Sequence, residues 1–399
     1  MKCKITGKKI RSIMNFGKMP LANGFLKEKD FPKEFFYNME IGWSDDLSLL
    51  QLNDFPSPKK MFNSNYPFLT SSSKYMVKHF AEYAFWIKKK FNNEKINIIE
   101  IGSNDGSMLK NFKNFDDNYI GFEPSKNVAD HAKKNKIKTL NNFFTLENIE
   151  LVKDFFNKTD VIYGANVVCH IPNINDLIKA VDKMLNSNGL FIFEEPYLGS
   201  MFDKISYDQI YDEHIYIFSA TSVMKIFKIF DFELIDVLPQ KTHGGSMRYV
   251  ISRKGKRVKT SRLKKILDLE KIRHLDDFQS CVKFKNECEK SKLVLKNKLV
   301  NLKNKNLKIC GYGATSKSTT ILNYCEIGPE LIDCIYDTTK DKINKFSPGM
   351  HIPIKDMAKL KKSYPNVLYL FAWNHKNEIF KKEKKFLKMG GKWVSHVNL

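Results

Sequence analysis

The sequence predicts an α/β protein of three domains, and three observations carry that reading. Its 399 residues are too many for one ordinary core. From residue 96 onward, short apolar runs alternate with helix-length segments, the pattern of a parallel sheet with helices on both faces. The alternation restarts at residue 307, after a lysine-rich helical stretch at 257–303 that contains neither Pro nor Gly. The boundaries that follow are 1–71 for a small N-terminal module, 72–253 for the core and 254–399 for a smaller C-terminal α/β domain.

Taken in order, the first 70 residues read as irregular, because Pro20, Pro32, Pro56, Pro58 and Pro67 interrupt every candidate element. Residues 72–92, "SSKYMVKHFAEYAFWIKKKFN", carry apolar positions at helical spacing and predict a connecting helix. "INIIEIG", "NYIGFEP", "DVIYGAN" and "GLFIFEEP" predict four strands, the first followed by a glycine turn. "LKICGYGATSKSTTILNY" opens the second unit, and "LIDCIYD" and "NVLYLFAW" continue it.

Composition narrows the function. Apolar residues make up 42% of the chain, which fits a globular protein. No apolar run approaches the roughly 20 residues of a membrane span, and the start of the chain does not read as a signal peptide. A cytoplasmic protein without a membrane partner is the expectation. Seven scattered cysteines fit free thiols in a reducing compartment. The charge of +23 raises the question of nucleic acid. Yet the lysines spread along the whole chain, arginine occurs only six times, and no nucleic-acid motif appears. The field instead suits a phosphorylated small substrate.

"EIGSNDG" carries the first chemistry. Its glycines, Gly102 and Gly106, bracket a strand-to-helix turn where a ligand can approach the backbone. Asn104 stands where a dinucleotide fingerprint has its second glycine. Glu123 follows about 20 residues on, at the end of the next strand, placed to accept both hydroxyls of a ribose. Candidate cofactor residues are Glu100, Gly102, Ser103, Asn104, Gly106, Glu123, Pro124 and Asn166.

"EIGSNDG", "GFEPS" and "ANVVCHIPNINDL" resemble the motifs of class I S-adenosylmethionine methyltransferases. "PLANGF", "NYPFLTSSS", "YDEHIYIFS", "HGGSMR" and "GYGATSK" are similar to those of the deoxysugar C-methyltransferases, which act on nucleotide-linked keto-sugars. The resemblance runs from about residue 18 to residue 380. It implies a Rossmann-like class I methyltransferase core, a smaller Rossmann-like C-terminal domain that helps bind the nucleotide-sugar, and an N-terminal substrate-binding module. S-adenosylmethionine is the implied cofactor and S-adenosylhomocysteine its product. The implied reaction is methylation of a sugar carbon, C3 beside a C4 ketone, with transfer to oxygen or nitrogen as the alternative. A monomer or a homodimer is expected, with no nucleic acid bound.

The family also resembles a zinc-binding module at its N-terminus, with two Cys-x-x-Cys pairs. Here Cys3 remains, but Thr6 takes the second position, and alignment on "LLQL" puts Ser44 and Leu47 at the other pair. A tetrahedral site needs four good ligands, so zinc is not expected.

Carbon methylation needs a base to form an enolate and donors to hold its oxygen. His214 suits the base because imidazole titrates near neutrality. Glu213 is placed to orient it or share the work, and Tyr211 to donate to the oxygen. The resemblance implies these three positions and adds His170, at the end of a sheet strand. Which of His214, Glu213 and His170 is the base stays open, and Asp212 reads as a solvated or capping carboxylate. For the substrate, Tyr66 and Phe68 offer an aromatic wall or else core packing. Ser72 joins them, and Gly245 permits close approach beside Arg248, which suits a phosphate or a surface strand. Lys317 in "GYGATSK" is placed for a diphosphate unless the turn is purely structural.

Overall fold

Gly102 and Glu123, each the residue after a strand of the core sheet, lie at the carboxyl edge of that sheet, and this edge positions the site. The computed structural model describes residues 1–64 and 66–399. Asn65, the first residue of "NYPF", lies outside them. In the N-terminal module run β1 (Arg11–Pro20), β2 (Phe36–Ser44) and β3 (Leu49–Leu52). The core supplies β4 (Asn97–Ile101), β5 (Asn118–Phe122), β6 (Thr139–Leu140), β7 (Thr159–Ala165), β8 (Leu185–Pro196), β9 (Tyr216–Ile217), β10 (Phe232–Gln240) and β11 (Ser246–Arg253).

Seven of the core strands form one sheet in the order β10-β11-β8-β7-β4-β5-β6. β8 through β6 are parallel, whereas β11 runs antiparallel to both β8 and β10. The wholly parallel sheet expected from sequence is thus corrected at one edge, where a hairpin closes the sheet. The predicted connecting helix is present as Lys74–Lys90, capped by Ser73, whose side chain accepts from the Met76 amide. Its buried face, including Phe80, Tyr83 and Ile87, packs with Ile98, Tyr163 and Ile192 of the sheet.

The N-terminal module is not irregular. β1, β2, β3 and the core's β9 make an antiparallel sheet, so the module shares its sheet with the loop that carries "YDEH". The prolines bound elements: Pro20 ends β1 and Pro32 sits inside a short 3-10 turn. The lysine-rich stretch is two helices, Ser261–Ile272 and Phe278–Asn304, broken near His274 (φ +52°). The C-terminal unit is a five-stranded parallel sheet ordered β14-β13-β12-β15-β16. Its strands are β12 (Ile309–Tyr312), β13 (Ile335–Asp337), β14 (Ile354–Asp356), β15 (Val367–Leu370) and β16 (Lys392–Val394). Among the described residues, no helix is long and apolar enough to cross a membrane.

Candidate active site

The turn after β4 is built for close backbone approach. Gly102 has φ +65°, and a Cβ there would lie 2.6 Å from Cγ2 of Val167. The Gly106 amide closes the turn on Ser103 O at 2.9 Å, and the Ser103 amide reaches Phe122 O at 3.0 Å. Glu123, the residue after β5, is buried, with Oε2 accepting the Asn104 amide at 3.0 Å and Oε1 the Ser125 amide at 2.7 Å. Burial raises its pKa, and these two donors oppose the rise. Asn141 holds the carbonyls of Glu123 and Pro124.

Among the side-chain atoms at this edge buried without a hydrogen-bond partner among the described residues are Ser103 Oγ and Asn166 Oδ1, whereas the Tyr163 hydroxyl lies against Glu100. Unpaired buried polar atoms are costly, and a polar nucleoside cofactor is the kind of group that would pair them. Asn166 is itself in the left-handed region, at φ +57°.

Residues 66–72 lie across this turn. Asn104 donates from Nδ2 to Phe68 O at 3.2 Å and accepts the Thr70 amide at 2.9 Å. Asp105 accepts the Ser71 amide at 2.8 Å. Phe68 is exposed rather than packed in the core. Ser72 is exposed and donates its hydroxyl to Leu69 O at 2.6 Å. Tyr66 donates to Glu213 Oε2 at 3.3 Å.

In "YDEH", Asp212, Glu213 and His214 are buried and Tyr211 is half-buried. His214 Nδ1 lies 2.6 Å from Gln209 O, and a carbonyl only accepts, so this nitrogen carries the proton. Nε2 therefore accepts from the Tyr211 hydroxyl, 2.7 Å away. The His170 ring stacks on His214 with centroids 5.3 Å apart, and Phe62 stacks on His170 at 5.7 Å. His170 Nε2 is buried and has no partner among the described residues. Glu213 receives Asn23 Nδ2 on Oε1 at 2.7 Å. Asp212 accepts the Ala22 amide on both oxygens, at 3.3 and 3.2 Å, so it is a buried acceptor and not a solvated carboxylate.

The electrostatics correct one expectation. Burial drives His214 well below the usual imidazole range, with the His170 imidazole adding to the effect, so it does not titrate near neutrality. Burial likewise lowers His170, to about 3. Glu213 is the group near neutrality: burial raises it to about 7, against the Asn23 and Tyr66 donors and the Lys342 charge. Glu195, raised by burial to about 7, caps the turn that carries His170 by accepting the amides of Val167, Val168 and Cys169.

Two further expectations are corrected. Arg248 is neither at the surface nor free for phosphate. It is 4% exposed, bonds Glu194 Oε2 through Nε at 3.1 Å and Nη2 at 2.9 Å, and lies 3.5 Å above the Tyr83 ring. Gly245, at φ +128°, makes room for the chain at Ser200, whose Oγ would lie 2.4 Å from an added Cβ. Lys317 is buried at the start of the helix Ser316–Tyr324, its amine 4.9 Å from the Trp373 ring and 3.4 Å from His243 O. Burial lowers it to about 8, against the nearby Asp208. No carboxylate lies within ion-pair distance of it among the described residues.

The residues that sequence reasoning missed are Asn23, Gln209 and Glu195. "PLANGF" and the second glutamate of "GLFIFEEP" were their only signals. In the N-terminal module Cys3, Ile5, Ile10, Leu47 and Leu49 lie buried in one apolar cluster. A thiol beside a leucine side chain is not a donor set for zinc.

Three family models match in succession: a "Putative zinc binding domain" at residues 3–62, a "Methyltransferase domain" at 75–237 and a "C-methyltransferase C-terminal domain" at 241–397. With the sheet and turn described above, they define a class I, S-adenosylmethionine-dependent methyltransferase. More narrowly, the C-terminal match supports a place among the C-methyltransferases. The chain is 26% identical over 385 residues to C-methyltransferase NovU of Streptomyces niveus, covering 96% of this chain and 91% of that one. It is 30% identical over 101 residues to a ubiquinone biosynthesis O-methyltransferase of Pelagibacter ubique, covering 24% of this chain and 40% of that one. The magnesium protoporphyrin IX methyltransferase of Synechocystis aligns at 11% identity and a TM-score of 0.34, over 45% of this chain and 79% of that one. The class rests on the family models and not on that score.

Proposed function

We propose that this enzyme methylates C3 of a nucleotide-linked 4-keto sugar through an enolate. One observation supports this most: Glu213, raised by burial, accepts Asn23 Nδ2 and the Tyr66 hydroxyl on the same buried loop as His214, whose neutral ring stacks on that of His170. Transfer to oxygen or nitrogen starts from a lone pair and needs no such set. Glu213, as the carboxylate, takes the proton from C3. The unpartnered Nε2 of His170, in the tautomer that carries the proton there, donates to the oxygen that gains charge. Tyr211 commits its one O–H to Nε2 of His214, so it holds that ring in place and is not a second donor to the oxygen. The bound cofactor supplies an electrophilic methyl on its sulfonium. Lys317, a buried amine with Asp208 nearby but no carboxylate within ion-pair distance among the described residues, is the residue for the substrate's diphosphate.

The test is to incubate the enzyme with labelled cofactor and a panel of nucleotide-linked 4-keto sugars, then locate the methyl by mass spectrometry and NMR. A methyl on C3 is expected. A methyl on oxygen or nitrogen overturns the reading.

A further inference from the structure

The orientation of Glu213 is set from outside the core. Asn23, in the N-terminal module just after β1, donates from Nδ2 to Glu213 Oε1 at 2.7 Å. Its Oδ1 lies 3.0 Å from Oγ of Ser316, the first residue of the C-terminal helix Ser316–Tyr324. A hydroxyl donating to Oδ1 leaves only the NH₂ end to face the carboxylate, and a flipped amide would set oxygen against oxygen. The preceding residue is clamped the same way. The Ala22 amide is shared between the Asp212 oxygens, and Ala22 O accepts Thr319 Oγ1 at 2.8 Å. Residues 22 and 23 are thus held between the "YDEH" loop and a helix about 300 residues away.

We propose that Asn23, oriented by Ser316, is a positioning residue that fixes the Glu213 carboxylate and favours its charged form, so that the base is complete only when all three domains are docked. The proposal rests on Glu213 as the base. The other groups facing Glu213 are the neighbouring Asp212, the hydroxyls of Tyr66 and Tyr211, Cys169 and Lys342. Lys342 is held on Ala314 O at 2.8 Å. Of these groups, Lys342 acts on Glu213 through charge, Asp212 is itself raised well above the ordinary carboxylate range by burial and by Glu213, and Tyr66 and Asn23 are hydrogen-bonded to the carboxylate.

A donor to a carboxylate lowers its pKa, so removing the donor raises it. Asn23→Ala should move the acidic limb of the kcat profile to higher pH by about one to two units, as loss of a charged hydrogen bond implies. At pH 7 kcat then falls about five- to fifty-fold and recovers toward pH 9, with cofactor affinity unchanged. Asn23→Asp, which sets a second carboxylate against the first, should move the limb further. Ser316→Ala should move it in the same direction by less, and it serves as the test if Asn23→Ala does not fold. An unmoved limb in whichever variants fold, with Glu213→Gln inactive, overturns the role of Asn23 alone. If Glu213→Gln keeps the wild-type rate, the base assignment falls, and this proposal with it.

Discussion

The Tyr211 hydroxyl donates to Nε2 of His214 across 2.7 Å, and the far side of the same ring is tied to Gln209 O at 2.6 Å. This arrangement fixes the tautomer, leaves the imidazole uncharged, and points to the neighbouring carboxylate as the base. Tyr211→Phe should therefore strand a buried ring nitrogen. The expected loss is about 1–3 kcal/mol in urea unfolding, together with a fall in kcat at constant cofactor affinity.

Glu123 has an equally direct test. Calorimetry should show Glu123→Ala binding S-adenosylhomocysteine more weakly by about 1–3 kcal/mol, the range for a charged hydrogen bond left unmade. Part of that loss comes from the turn, because the Asn104 amide then has no acceptor. Wild-type affinity in the variant would remove Glu123 from the cofactor site.

Packing in place of metal makes its own prediction for the N-terminal module. Elemental analysis of untagged protein should find well below one equivalent of zinc. Leu47→Ala, within the cluster around Cys3, should cost about 2–5 kcal/mol in unfolding experiments. Stoichiometric zinc that survives chelator dialysis contradicts this account.

Arg248 is predicted to matter for stability and not for substrate affinity. Glu194 is fully buried, which by itself raises its pKa, but the bonds from His79 and Arg248 outweigh burial and hold it below the ordinary value. A depressed carboxylate contributes stability that is complete above its unfolded pKa and is lost as pH falls through the folded one. Arg248→Met should cost about 3–5 kcal/mol, since it leaves a buried charge underpaired. It should also flatten the loss of stability below pH 4.5, the ordinary value for Glu194. KM for the sugar should stay within a factor of about two, since the guanidinium is committed inside the protein.

What was legible in the sequence was local. "INIIEIG" was legible as an apolar run ending in glycine and the helix at 72–92 from its periodicity, and the structure places the helix at Lys74–Lys90. β1 escaped because register shifts between Ser12 and Met14 and between Asn15 and Lys18 break its alternation. The β10–β11 hairpin escaped for a different reason: antiparallel closure is a choice of connection, invisible in strand composition. At the site, the four polar residues of "YDEH" were visible as a cluster. Their protonation was not, because it depends on burial and on Asn23, 190 residues away from Glu213. Arg248 misled because a glycine-flanked arginine reads the same whether it faces a ligand or a buried glutamate.

The central claim is that Glu213 removes a proton from a carbon beside a ketone, and exchange without methyl transfer tests it most directly. A nucleotide-linked 4-keto sugar is incubated with enzyme in deuterated water in the absence of cofactor, and the hydrogen at C3 is followed by NMR. Wild type should wash in deuterium, with a rate that rises through about pH 7 as Glu213 ionises. Glu213→Gln should slow exchange by about 10²–10⁴, the usual cost of a lost general base. Exchange in Glu213→Gln at the wild-type rate, with the same pH profile, would contradict the account.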